Sequence, residues 1–233
     1  MAEIRCLASG STGNCYLLDV DGDSIILDAG CEWNKLVASQ SLNEVLFAYI
    51  SHEHKDHSLN YEKLILRGVK CLDGITNTEF KKNAIKGKKS GKYLELYRVP
   101  IFHGKVNNSA LIIQNENECI LYATDFSLCE YDLSEFKFTH ILVECNYLEE
   151  KIQGHEDIKT RRQINTHMGL EGLKIFLDSL DLSQCKEIDL IHLSQQYGND
   201  VIMASSIYTT YKIKTGVCQQ YGGIEYYGWK KNV

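Results

Sequence analysis

The sequence predicts an α/β protein in which two β-sheets pack together with helices outside. Three observations predict it. Short apolar runs separated by turn residues open the chain, strand-then-helix units follow, and the same succession recurs after residue 93. Such an order of hairpins and βα units suits layered sheets covered by helices. The 233 residues, 44% apolar, allow a sizeable core in a single domain, 1–233.

EIRCLAS (3–9), NCYLLDV (14–20) and DSIILDA (23–29) are predicted strands, divided by the loop SGSTGN and by the hairpin pair Asp21-Gly22. A helix is expected over 32–42. VLFAYIS (45–51) reads as a buried strand, HSLNYEKLILRG (57–68) as a helix closed by Gly68, and VKCLD (69–73) as a strand. KKNAIKGKKSGK (81–92) carries six lysines and no acid. A like-charge block of this kind is usually a solvated loop; the alternative is a phosphate-facing arm leading toward His103. YLELYRV, VNNSALIIQ, ECILYATD and HILVECNY are further strands, with Asn115 and Asn117 flanking a turn. MGLEGLKIFLDSL (168–180) has the apolar spacing of an amphipathic helix. EIDLIHLS (187–194) is a strand, 199–211 a helix and 212–230 a β-like tail. The aromatic YYGW near its end offers a homodimer surface.

Composition narrows the function classes. A net charge of −6 argues against nucleic-acid binding by bulk electrostatics, though not against a local basic groove. No stretch of about 18 apolar residues occurs, so no membrane span is expected. MAEIRCLASG lacks the pattern of a signal peptide, and the nine scattered cysteines include no CxxC pair. Both point to a cytoplasmic protein with reduced core thiols.

The densest chemistry is SHEHKDH (51–57), which holds three of the eight histidines. It follows a predicted buried strand, where sites of α/β folds sit. His52 and His54 are two residues apart, so extended backbone aims both imidazoles the same way. Asp56 and His57 come as the chain turns into a helix and can address a second point. Imidazole and carboxylate donors suit zinc. His103, Asp125 and His192, each at a strand end, can complete the set. Taken singly, each is as well explained as a satisfied polar residue, and Asp125 as a helix cap; together with 52–57 they are hard to obtain by accident.

H-x-H-x-D-H (His52, His54, Asp56, His57) followed by His103, Asp125 and His192 resembles the metallo-β-lactamase fold superfamily over nearly the whole chain. Within it, LASGSTGNCYL (7–17), LDAG (27–30), VECNY (143–147), INTHMGLEG (164–172) and HLSQQYGND (192–200) are most similar to the YycJ/WalJ group. Its ESNH-like, GHLSN-like and HLSxxNN-like segments are altered here: Cys145 and Tyr147 replace Ser and His, NTHMG replaces GHLSN, and the last segment ends in Gly198-Asn199. The resemblance implies a four-layer αββα sandwich and two divalent ions, zinc first and manganese second. One ion takes His52, His54 and His103, the other Asp56, His57 and His192, with Asp125 bridging. It implies a shared water or hydroxide as nucleophile, with Asp56 among the catalytic residues. It also implies that His167 protonates the leaving oxygen or holds the phosphate and that Glu144 orients it. Ser11, Asn14, Lys55 and Asn146 are candidate substrate contacts. Tyr147 and Tyr197 are core residues or stack a base.

The implied activity is phosphodiester hydrolysis, foremost that of a DNA-directed exonuclease. The alternative is a phosphodiesterase for small cyclic nucleotides, such as one countering nucleotide-based antiphage signalling. The His167–Glu144 pair speaks against a thiol-ester enzyme, the full ligand set against a binding module without catalysis.

Overall fold

The computed structural model describes residues 2–76, 79–154 and 157–227, which form four layers: helices, sheet, sheet, helices. The first sheet holds β1 (Ala2–Ala8), β2 (Cys15–Val20), β3 (Asp23–Leu27), β4 (Val45–Ile50) and β5 (Cys71–Asp73), paired in that order. Its first three strands are antiparallel and its last three parallel. Parallel neighbours need crossovers. α1 (Trp33–Ser39) supplies one, and α2 (Lys55–Ser58) with α3 (Tyr61–Leu66) the other.

The second sheet runs β6 (Lys81–Lys86), β7 (Tyr93–His103), β8 (Val106–Gln114), β9 (Cys119–Ala123), β10 (His140–Glu144), β11 (Glu187–Ile191), β12 (Lys214–Cys218) and β13 (Ile224–Tyr226), again paired in chain order. β9 to β12 are mutually parallel. α4 (Glu149–Ile152), α5 (Ile158–Thr166) and α6 (Leu170–Asp178) join β10 to β11, and α7 (Asp200–Tyr211) joins β11 to β12.

Alternation along the strands explains the layers, because successive side chains face opposite sides. Between the sheets Tyr16, Leu18, Phe47 and Tyr49 meet Leu96, Leu111, Tyr122 and Leu142. The outer face of the first sheet is covered by Leu36 of α1 and Leu64 of α3. The outer face of the second is covered by Leu170, Leu173 and Leu177 of α6 and by Met203, Ala204 and Ile207 of α7. The 3–4–7 spacing in α6, and the three- and four-residue steps to Ile207 in α7, put each set on one helical face, and each fully buried large side chain contributes about 1.5–3 kcal/mol. At the β2–β3 hairpin Asp21 (φ 53°) and Gly22 (φ 88°) both take the left-handed region that a tight two-residue turn requires.

The structure departs from the expectations in three places. The lysine block is not a loop at its start: Lys81–Lys86 is an edge strand whose six residues all pair with β7. Its side chains are mostly exposed, and lysines on an edge discourage pairing with another chain. The expected 57–68 helix is broken into α2 and α3 around Leu59-Asn60. Between 149 and 166 the chain forms α4 and α5, which carry no apolar periodicity. All nine cysteines are free thiols, six of them buried. Among the described residues no helix is long and apolar enough to cross a membrane. The YYGW segment runs into residues 228–229, outside the described residues, as does His155.

Candidate metal centre

The C-terminal ends of β3, β4, β7, β9, β10 and β11 deliver polar residues to one rim of the sandwich. Three of these residues take a left-handed backbone: Asp28 after β3 (φ 55°), Asp125 after β9 (φ 50°) and His192 after β11 (φ 54°). A non-glycine residue there costs on the order of 1–3 kcal/mol and marks sites where side-chain direction matters more than backbone comfort. Gly30 allows a further close approach. A Cβ at that position would collide with the Asp56 carbonyl, and Ala29 N–H donates to the His57 carbonyl at 2.7 Å. LDAG thus clamps the backbone that presents Asp56 and His57.

Two groups of donors converge. In the first, His52 Nε2 lies 2.9 Å from His54 Nδ1, and His103 Nε2 lies 3.3 Å from the same atom. Asp125 Oδ2 closes the group at 3.8 Å from His52 Nε2 and 3.9 Å from His103 Nε2. In the second, His57 Nε2 lies 3.3 Å from Asp56 Oδ2 and 3.2 Å from Asp125 Oδ1, while His192 Nε2 lies 3.6 Å from Asp56 Oδ2. Each group brings four ligand atoms within 4.8 Å of one another, and Asp125 belongs to both. The structure therefore brings all seven proposed ligands together, in the two sets that the resemblance implies.

The outer nitrogens test whether these groups fit a cation. His52 Nδ1 meets the Ser51 hydroxyl at 3.0 Å, which itself donates to Asp28 Oδ2 at 2.9 Å. His57 Nδ1 donates to Asp28 Oδ2, His103 Nδ1 to the Thr166 carbonyl at 2.9 Å, and His192 Nδ1 to Glu144 Oε1 at 3.0 Å. Each acceptor fixes the outer N–H and leaves Nε2 as the inward atom. His192 Nε2 is buried without any hydrogen-bond partner. Imidazoles anchored at the outer nitrogen, with the other aimed inward, are how proteins hold a divalent metal.

Electrostatics agree. Burial opposes ionisation of Asp125, but His192 and His57 overcome it and hold its pKa well below the usual carboxylate value. Burial likewise opposes charge on His192, yet Asp125, Asp56 and Glu144 lift its pKa to about 10. Burial, joined by the neighbouring His57, keeps His52 low. The centre is a concentrated negative site in which bound protons occupy places suited to a cation.

A third cluster adjoins the first two. His167 Nδ1 donates to Glu144 Oε1 at 2.6 Å, and Glu144 Oε2 accepts the Phe126 N–H at 2.9 Å and the Met168 N–H at 3.2 Å. Burial opposes protonation of His167, but the Glu144 charge outweighs it and raises the pKa above the ordinary imidazole value. A cavity of about 610 Å³ opens over these groups. Ser11, Lys55, Asn146 and His167 line it; Glu144 and Asn14 do not. Asn14 is fully buried, its amide nitrogen 3.0 Å from His57 Nε2 and its oxygen accepting the Gly10 N–H at 2.9 Å. Among the described residues none of the lysine block 81–92 lines the cavity. Tyr147 and Tyr197 are buried with Ile152 in a small apolar cluster and have no face for a base.

Sequence reasoning missed the supports. Asp28 occupies the same strand-end position as Asp125 and His192, and that position was its signal. The Thr166 carbonyl and the polar face of α5 left no trace in residue type.

No family model and no curated protein sequence matches the chain. Solved structures do. The metallo-β-lactamase fold protein YhfI from Bacillus subtilis is similar at TM-score 0.71 and 14% identity, over 97% of this chain and 98% of that one. Human tRNase Z, short form, is similar at TM-score 0.59 and 12% identity, over 84% and 93%. Zn(2+)-bound PqqB from Methylobacterium extorquens is similar at TM-score 0.62 and 12% identity, over 94% and 98%. At these identities the likeness is one of architecture: the chain has the metallo-β-lactamase fold.

Proposed function

We propose that the protein is a dinuclear-metal phosphodiesterase acting on nucleic acid, with DNA the first candidate substrate. The observation that carries this is the His167–Glu144 pair beside two donor sets that share Asp125. Two divalent ions, zinc foremost, would supply a water of lowered pKa and charge neutralisation for a phosphoryl group. His52, His54 and His103 would hold one ion, Asp56, His57 and His192 the other.

The chain's own residues account for the rest. His167 reaches the cavity, and the Glu144 charge raises its pKa against the effect of burial, which favours a role giving a proton to the departing oxygen. Glu144 is buried and touches His167 and His192 at one oxygen, so it is a positioning residue that couples the acid to a ligand. Asn146 donates to the His192 carbonyl at 2.8 Å and lines the cavity, steadying the ligand loop from the substrate side. Ser11 and Lys55 are available to phosphate oxygens.

The test is turnover of bis(p-nitrophenyl) phosphate, single-stranded and duplex DNA, RNA and 3′,5′-cyclic nucleotides with Zn²⁺ or Mn²⁺. His167→Gln is expected to lower kcat by about 10²–10⁴-fold, the usual worth of a general acid, with metal content unchanged. His54→Ala is expected to lose turnover together with the ion of its own donor set. Activity that survives His54→Ala would refute the assignment.

A further inference from the structure

α5 turns one face to the cavity. Lys159, Arg162, Gln163 and Thr166 line it, spaced 3, 4 and 7 residues apart, as one stripe of a helix must be. The helix is anchored on that side: the Thr166 carbonyl accepts from His103 Nδ1, and Gln163 Nε2 donates to Asn146 Oδ1 at 2.5 Å. The Asp157 carboxylate caps its start by accepting the Thr160 N–H at 3.0 Å. The two cations therefore stand on a fixed support.

Their charges are uncommitted. Among the described residues no hydrogen bond or ion pair engages the side chain of Lys159 or Arg162. Among the described residues the acids lining the cavity are Asp56 and Asp125, both members of the donor sets. Depth separates the cations from that centre: Asp125, His103 and His192 are buried at the floor, whereas Lys159 and Arg162 are exposed at the mouth. Among the described residues the lining holds no Phe, Tyr or Trp. What the mouth offers is positive charge and hydrogen-bond donors, which recognise phosphate.

We infer that Lys159 and Arg162 of α5 form a second phosphate subsite at the mouth of the cavity. The substrate is then a phosphodiester that carries another phosphate beside the scissile one, as an oligonucleotide does and a cyclic mononucleotide does not. The inference rests on the phosphodiesterase proposal for the floor of the site.

The test compares binding of thymidine 3′,5′-bisphosphate and thymidine 5′-monophosphate to the zinc-loaded protein by calorimetry. The wild type is expected to favour the bisphosphate by about tenfold or more, the scale of one charge-assisted contact. The double variant Lys159→Gln, Arg162→Gln is expected to bring the ratio of the two dissociation constants to about one. Absence of a preference in the wild type, or a preference that survives in the variant, overturns the subsite. Because the readout is binding, a protein that shows the preference and loses it in the variant supports the subsite even if it cleaves none of the phosphodiesters above. That pattern would count against the catalytic proposal alone.

Discussion

Asp189 on β11 is fully buried, and neither of its carboxylate oxygens has a hydrogen-bond partner. It shares the inter-sheet side of the strand with Ile191 and sits beside Gly216 of β12. Burial, reinforced by Glu187, raises its pKa well above the ordinary carboxylate value. A group whose folded pKa is raised favours the fold below its unfolded pKa of about 3.9, and that support is lost as pH rises toward the folded value. Asp189→Asn is therefore expected to stabilise the protein, by on the order of 1–3 kcal/mol at pH 8 and by little at pH 4. Urea unfolding at the two pH values checks this; an equal gain at both would contradict it. Asp189 also shows the limit of residue-level inference. His52, His54, Asp56 and His57 stand out in the sequence because, with Glu53, five ligand-type residues crowd six positions. An aspartate in an otherwise apolar strand signals nothing until its neighbours across the sheet are known.

α5 supports the centre through the carbonyl that orients His103, and it is the element least visible in the sequence. Ile158 and Ile164 are exposed while Thr160 is buried, so the apolar period that would announce a helix is missing. β4 with six buried residues, the Asp21-Gly22 hairpin and the Asn199-capped α7 were legible because burial pattern and turn chemistry agree there. The edge strand Lys81–Lys86 was not, because its charges mask a backbone pairing that β7 imposes. α5 begins at the Asp157 cap and ends at the carbonyl that orients His103, so the two ends are mechanically linked. Asp157→Ala removes about 1 kcal/mol of capping. It is expected to weaken zinc binding by up to about fivefold, the equivalent of 1 kcal/mol and less than the roughly 10–100-fold cost of losing a ligand's support outright. Competition with a chelating dye measures this, and unchanged affinity would show that α5 does not position His103.

Over the whole molecule, each donor set draws on both sheets. His52, His54, Asp56 and His57 follow β4 of the first sheet, whereas His103, Asp125 and His192 end strands of the second. A cation held by both layers binds the folded state alone, which stabilises it by about 4 kcal/mol at a thousandfold excess over Kd. At about 2–4 °C per kcal/mol for a chain of this size, zinc is expected to raise Tm by roughly 10 °C. EDTA should reverse the rise and His54→Ala, which breaks one of the two donor sets, should reduce it. No shift in Tm on adding zinc would mean that the two donor sets do not close on an ion.

The same division of donors sets an order of events while the chain is being made. A growing polypeptide presents SHEHKDH to the cell's metal pool long before the strand leading to His192 exists. Any ion captured then would meet only part of its ligands and could leave again. Secure loading must wait until the second sheet has been laid against the first, so a ribosomal product cut short before β11 would hold its metal weakly, however intact its histidine cluster.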